Sequence, residues 1–334
     1  MIYIRTDMNN VIATGHVMRC LAIADAARSC GEETTFILAD EQAVQLLEER
    51  GYSSIILHTV WNDMESELPA LVQVIRENNI SRLLVDSYQV TNYYLKSLCK
   101  LVKLIYLDDL NAFHYPVHAL ICYANYWKKF RYEEQYPDTE LYLGTKYVPL
   151  RQAFSDCPKK NVSLQIEKIL IMSGGTDPYG VMDKLLVRLN RKQYKRIDVI
   201  CGRYNGAYNS LCAKYAEESN IQIHRSVTDI DQYMKDADLA VSAGGTTLYE
   251  LCACGTPAIS YSFADNQLDN VRQFEEDNLI DYAGDARHED VVFHIKRYIE
   301  RYEADLELRK DRSVQMKKMV DGKGAIRIAK VLIE

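Results

Sequence analysis

The sequence has no basic excess, no long apolar run, no Cys-x-x-Cys pair and little phenylalanine. Forty Lys and Arg stand against 47 Asp and Glu, a formal net charge of −7. A net acidic chain lacks the broad positive footprint of a nucleic-acid binder, so no nucleic-acid partner is expected. Acidic small molecules are not excluded, because a few local groups can hold an anion. No apolar stretch approaches the roughly 18 residues of a membrane span, so no stable membrane insertion is expected. The start, Met1-Ile2-Tyr3-Ile4-Arg5, is charged by its fifth residue, so no signal peptide is expected. Nine cysteines without a Cys-x-x-Cys pair read as reduced thiols of a cytoplasmic protein. Only 7 Phe accompany 24 Tyr, which suggests aromatic surface that is half-exposed or lines a polar cleft.

What is present is ordinary globular material: 48% hydrophobic and 26% charged residues, enough for a sizeable core. A length of 334 residues implies two domains at about 150 residues each. Short β-rich runs alternate with helical stretches. Strands are expected at 2–5, 35–38, 54–57, 82–85, 103–107 and 120–122, with a helix from about His16 to Cys30. Such alternation implies parallel βαβ units. The pattern breaks between Pro149 and Glu167, and resumes with strands at 169–172, 197–201, 221–224, 239–242 and 258–261. The tail from Arg287 onward reads as helical throughout. The expected organisation is a domain over 1–149, a linker over 150–167 and a second domain over 168–334. A cleft between the two is the usual place for a ligand.

Val241-Ser242-Ala243-Gly244-Gly245-Thr246-Thr247-Leu248-Tyr249-Glu250 is the strongest local signal. A strand ends in two glycines and a helix opens with two hydroxyl residues. Glycine admits close backbone approach, and the first helical turn offers unpaired N–H groups and a positive dipole end. The stretch reads as a lysine-free phosphate cradle, or else as a tight strand–helix turn with an ordinary cap. Gly174-Gly175-Thr176-Asp177 follows another strand in the same way. Neither is a Walker A loop or a full GxGxxG, but two such turns in one domain favour a nucleotide diphosphate. Glu250, one turn on, could take ribose hydroxyls or be a solvated helix residue. Asp265-Asn266-Gln267, with Asn270 one turn later, could read sugar and phosphate groups or cap a helix.

In the first domain, Gly15 and His16 stand at a helix start. The dipole there favours neutral imidazole, the form a general base needs; a lone histidine can equally be structural. Asp7 and Arg19 could orient the ring, hold phosphate, or pair with each other. Asp86-Ser87-Tyr88 ends a strand and faces a cleft or caps a turn. Asp108-Asp109 has no third ligand at metal spacing.

Together these segments resemble one family. Thr14-Gly15-His16-Val17-Met18-Arg19-Cys20-Leu21 is similar to its TGHxxRCL segment, Ser173–Pro178 to its SGGxDP segment, and Ser242–Leu251 with Asp265-Asn266-Gln267 to its SAGGxTLYEL…ADNQ segment. The family is that of the nucleotide-sugar hydrolases of pseudaminic acid biosynthesis, also described as spore-coat polysaccharide glycosyltransferase-like. The resemblance implies an α/β GT-B fold, two Rossmann-like domains with parallel sheets facing across a cleft, the final helix crossing back onto the first. It implies UDP held by the second domain: Glu250 on ribose, the Gly244-Gly245 turn on diphosphate, and the segment around Val227 on uracil. It implies inverting loss of UDP by water attack at the anomeric carbon, with His16 as base and no metal or cofactor. The substrate partner is then a UDP-linked diacetamido sugar, and a monomer is favoured. Ala13 stands where the family has glycine. The rival readings are a GT-B glycosyltransferase and a non-catalytic nucleotide-sugar binder. For a membrane-associated transferase, Trp127-Lys128-Lys129-Phe130-Arg131 is the one small surface candidate.

Overall fold

A computed structural model describes every residue except 10, 13, 203 and 204. Ala13 therefore lies outside the described residues. The chain divides into two compact units: Met1–Gln152 with Gly322–Glu334, and Ala153–Asp321.

The first unit is built on strands β1 (Ile2–Thr6), β2 (Thr34–Leu38), β3 (Ser53–Ile56), β4 (Arg82–Asp86), β5 (Lys103–Leu107), β6 (Ala119–Cys122) and β7 (Glu140–Leu143). They form one sheet in the order β3-β2-β1-β4-β5-β6-β7. Every pairing is parallel. A parallel strand is covered by helices on both faces, so it reads as a near-continuous apolar run; Leu83, Leu84 and Val85 of β4 are fully buried. Helix Gly15–Ser29 lies against helix Gly324–Ile333. The approach at the second helix's start is close: a Cβ on Gly324 would sit 2.2 Å from the Val148 carbonyl oxygen. At its other end, Arg82 donates to the Leu332 carbonyl at 3.2 Å and the Ile333 carbonyl at 2.5 Å. A guanidinium there neutralises the negative end of the helix dipole.

The second unit carries β8 (Lys168–Met172), β9 (Arg196–Cys201), β10 (Ile221–Arg225), β11 (Leu239–Ala243), β12 (Ala258–Ser262) and β13 (Ile280–Asp285). Their order is β10-β9-β8-β11-β12-β13, again all parallel. The core beneath them includes Ile169, Ile171, Val199, Val241, Ile259 and Tyr302.

Three details depart from expectation. Strands β7 and β13 went unread. The tail is not one continuous helical run: it forms Val291–Ala304, Leu306–Met319 and Gly324–Ile333, interrupted at Asp305, whose carboxylate caps the Leu308 amide, and again at residues 320–323. The stretch read as a linker is docked on the second unit. Lys160 Nζ donates to the Lys235 carbonyl at 2.6 Å and to the Ala237 carbonyl, another cation at a helix C-terminus. Asp238 accepts the Ser163 hydroxyl and the amides of Glu167 and Lys168.

Candidate active site and nucleotide turns

In each sheet the first strand lies in the interior, and the chain winds outward from it in both directions. Strand β1 lies between β2 and β4, and β8 lies between β9 and β11. The carboxyl ends of β1/β4 and of β8/β11 are therefore topological switch points, where open α/β sheets bind ligands. The sequence-derived candidates fall at both.

In the first unit, His16 and Arg19 are one turn apart on helix Gly15–Ser29, so both side chains reach Asp86 at the end of β4. His16 Nδ1 lies 2.7 Å from Asp86 Oδ1. Arg19 Nε donates to Asp86 Oδ2 at 2.6 Å, and its Nη2 donates to Oδ1. Cys20 Sγ reaches the same carboxylate at 3.3 Å. Arg19 Nη1 donates to the Tyr123 hydroxyl at 2.8 Å, and Tyr88 donates to Asp109 Oδ2 at 2.9 Å. The Tyr88 ring stands edge-on to His16, centroids 4.6 Å apart.

Asp86 is fully buried. Burial alone would raise its pKa, but the Arg19 charge and His16 overcome it and hold the carboxyl well below the ordinary range. It is therefore an anion. Nδ1 also lies 2.9 Å from Arg19 Nη2, a donor, but the shorter 2.7 Å contact with the carboxylate favours a proton on Nδ1. The ring tautomer assigned from this network leaves the Nε2 lone pair available. His16 lines a pocket with Asp7, Ile12, Trp61, Asp86, Ser87, Tyr88 and Gln89. Asp7 is placed from behind: Arg5 donates to it at 2.5 Å and the Ala39 amide at 2.8 Å. Arg5 is itself held bidentate by Glu67, at 2.8 and 2.5 Å. Burial raises the Asp7 carboxyl, against the pull of Arg5. Among the described residues, a Cβ on Gly15 would meet nothing within 4 Å.

The sequence brought His16, Asp7, Arg19 and Tyr88 to this end of the sheet. It did not assign Asp86 as the orienting group, nor mark Trp61, Gln89 or Tyr123, and it weighed Asp109 only as a metal ligand. Asp108 holds its own loop: it accepts the amides of Leu110 and Asn111 and the hydroxyls of Tyr115 and Tyr132.

In the second unit, the turns after β8 and β11 are neighbours across the sheet. Gly174 takes φ +74°, which favours glycine. Gly174, Gly175 and Thr176 are exposed. Gly244 is wedged against the helix Asp265–Glu276: a Cβ would sit 2.1 Å from Val271 Cγ1. Thr246 and Thr247 open helix Thr247–Cys254, with no side-chain cap bond from Thr246. Ser242 and Ala243 are buried at the end of β11, while Glu250 and Val227 are half-buried.

Several candidates have structural work. The Asp177 carboxylate caps helix Val181–Arg188, accepting the amides of Val181 at 2.9 Å and Met182 at 3.1 Å. Asn270 is a brace rather than an exposed sugar ligand: its Nδ2 donates to the Gly244 carbonyl at 3.0 Å, and Tyr249 donates to its Oδ1 at 2.8 Å. Gln267 Oε1 accepts the Phe263 amide, and Asp265 pairs with Arg287 at 2.7 Å. Asn266 is exposed.

Two successive α/β units with parallel sheets give the GT-B glycosyltransferase-like fold. MurG of Acinetobacter baumannii superposes with a TM-score of 0.69 over 99% of this chain and 98% of that one, at 12% identity. Residues 169–320 match the glycosyltransferase family 28 C-terminal domain. The spore coat polysaccharide biosynthesis protein SpsG of Bacillus subtilis is 25% identical over 203 residues, 58% of this chain and 58% of that protein. The UDP-N-acetylglucosamine--N-acetylmuramyl-(pentapeptide) pyrophosphoryl-undecaprenol N-acetylglucosamine transferase of Helicobacter pylori is 32% identical over 154 residues, 43% of this chain and 42% of that enzyme. The chain thus spans about half the length of the curated relatives it matches. Among the described residues no helix is long and apolar enough to cross a membrane.

Proposed function

We propose that the protein hydrolyses a UDP-linked diacetamido-trideoxy sugar to free sugar and UDP, in cytoplasmic nonulosonate synthesis of the pseudaminic acid type. UDP-2,4-diacetamido-2,4,6-trideoxy-β-L-altropyranose is the substrate that the motif resemblance suggests. The observation carrying the reading is the His16–Asp86 pair at a switch point. Asp86 orients the ring, and His16 Nε2 takes a proton from water as the water oxygen bonds to the anomeric carbon. The anomeric C–O bond breaks with inversion, and UDP leaves with the electron pair. The Gly174-Gly175 and Gly244-Gly245 turns and the start of helix Thr247–Cys254 supply amides for the diphosphate. Glu250 takes the ribose, and the segment around Val227 faces the uracil.

The similarity to a UDP-N-acetylglucosamine transferase supports a second reading, in which an acceptor hydroxyl replaces water at the same donor site. Incubation with the UDP-diacetamido sugar and no acceptor separates the two. UDP release that is lost in His16→Ala is expected for the hydrolase. Release only with an acceptor overturns it in favour of the transferase, and binding without turnover leaves a nucleotide-sugar binder.

A further inference from the structure

Away from both switch points, the Sγ atoms of Cys157 and Cys254 lie 3.8 Å apart. Cys157 is 8% exposed and Cys254 1%, and neither is in a disulfide. They are far apart in sequence but locked together in space. One ammonium group holds both backbones: Lys317 Nζ donates to the Ala253 carbonyl at 2.8 Å and to the Cys157 carbonyl. Lys235 Nζ secures the upstream turn through the Ala153 carbonyl at 3.2 Å. The two thiols are thus presented to each other by a fixed frame, already in contact, and 3.8 Å must close to the roughly 2.05 Å of a disulfide.

The pair is chemically asymmetric. The hydrogen bond with Cys254, aided by the charges of Lys235 and Lys317, lowers the pKa of the Cys157 thiol against its burial. The Cys254 thiol is pushed the other way. Cys157 is also the more accessible. A thiolate beside ammonium groups with a second thiol in contact is the arrangement of a peroxide-reactive cysteine with its resolving partner.

We propose that Cys157 and Cys254 form a modification site for small hydroperoxides, closing reversibly into a disulfide. The Cys157 thiolate attacks one peroxide oxygen: the S–O bond forms, the O–O bond breaks, and hydroxide leaves and is protonated to water. The Cys254 sulfur then attacks the resulting sulfenic acid. The S–S bond forms, the S–O bond breaks, and the Cys254 proton leaves with the hydroxyl as a second water. Cys157 and Cys254 are oxidised together and one peroxide is reduced. The bridge fastens the start of the second unit to the last turn of the helix whose first turn follows Gly244-Gly245.

The test is hydrogen peroxide treatment of the full chain, alkylation of remaining thiols and peptide mapping without reductant. A peptide pair joined through residues 157 and 254, lighter by two hydrogen atoms and separated again by dithiothreitol, is expected. Cys157→Ser should leave Cys254 alkylatable, and Cys254→Ser should carry Cys157 on to the sulfinic acid. The exposed Cys30 serves as internal control. The proposal is overturned if Cys30 is oxidised while both thiols remain alkylatable, if wild-type Cys157 goes to sulfinic acid, or if either sulfur bridges elsewhere. The wild-type map reads the outcome even if a variant folds poorly.

Discussion

Asp86→Asn isolates the orienting role of one carboxylate. In the wild type Asp86 accepts His16 Nδ1 at 2.7 Å and Arg19 Nε at 2.6 Å, so both oxygens are engaged. Asparagine keeps the shape but offers one oxygen and one NH2. If the oxygen stays with Arg19, the NH2 faces Nδ1, which must then accept. The ring proton moves to Nε2, and the base loses its lone pair. In Ser-His-Asp enzymes the corresponding change costs about 10⁴ in kcat, and a fall of about 10³–10⁴ is expected here. The change also removes the nearer charge partner of the half-buried Arg19 guanidinium, leaving Asp109 at 3.4 Å, which costs up to about 3–5 kcal/mol out of the roughly 5–15 kcal/mol that holds a domain folded. The variant is thus weakened but folded. The pH dependence has a definite sign. The Asp86 carboxyl is depressed in the folded state, so its stabilisation is complete above the unfolded value of about 3.9 and declines as pH falls below it. The stability gap between wild type and Asp86→Asn should be constant at neutral pH and narrow below about pH 4. UDP release and urea midpoints across pH measure both effects. A folded variant whose UDP release stays within about tenfold of wild type refutes the orienting role.

Three further changes probe the frame. Asn270→Ala frees the carbonyls of Gly244 and Gly245 and should weaken UDP binding about tenfold, or ~1.4 kcal/mol, by calorimetry; unchanged affinity would show that the turn needs no brace. Gly324→Ala drives a Cβ to 2.2 Å from the Val148 carbonyl oxygen and should cost about 1–3 kcal/mol in thermal or urea unfolding. Glu67→Gln breaks the bidentate pair with fully buried Arg5, and a loss of about 3–5 kcal/mol is expected by urea denaturation.

Most strands were legible because helices cover both faces of a parallel sheet, which makes the strands apolar in sequence. Strand β13 was not, since Ile280-Asp281-Tyr282-Ala283-Gly284-Asp285 mixes two acids and a glycine into its run. Strand β7, Glu140-Leu141-Tyr142-Leu143, lies at the sheet edge and is only partly buried. His16 and Arg19 were readable from their spacing, but Asp86 was visible only as a strand end. Its role depends on β4 lying beside β1, a long-range pairing that no local pattern encodes. The tyrosine excess also acquires a physical reason. Tyr94 bonds Glu67, Tyr115 and Tyr132 bond Asp108, Tyr52 bonds Asp25, and Tyr215 bonds Asp183. The rings fill cores as phenylalanine would, and at the buried Glu67 and Asp108 the hydroxyls also satisfy carboxylates that burial would otherwise penalise.

The first unit is assembled from two segments that flank the second unit in sequence, and this sets an order of folding. Residues 1–152 leave the ribosome before the second unit, yet the helix Gly324–Ile333 that lies on helix Gly15–Ser29 emerges only after it. At about 5–20 residues per second the wait is on the order of 10–40 s, during which the contiguous second unit can complete itself. The earlier-made half must therefore persist with one apolar helix face bare, which makes it the stage of biogenesis most exposed to aggregation and to chaperone capture.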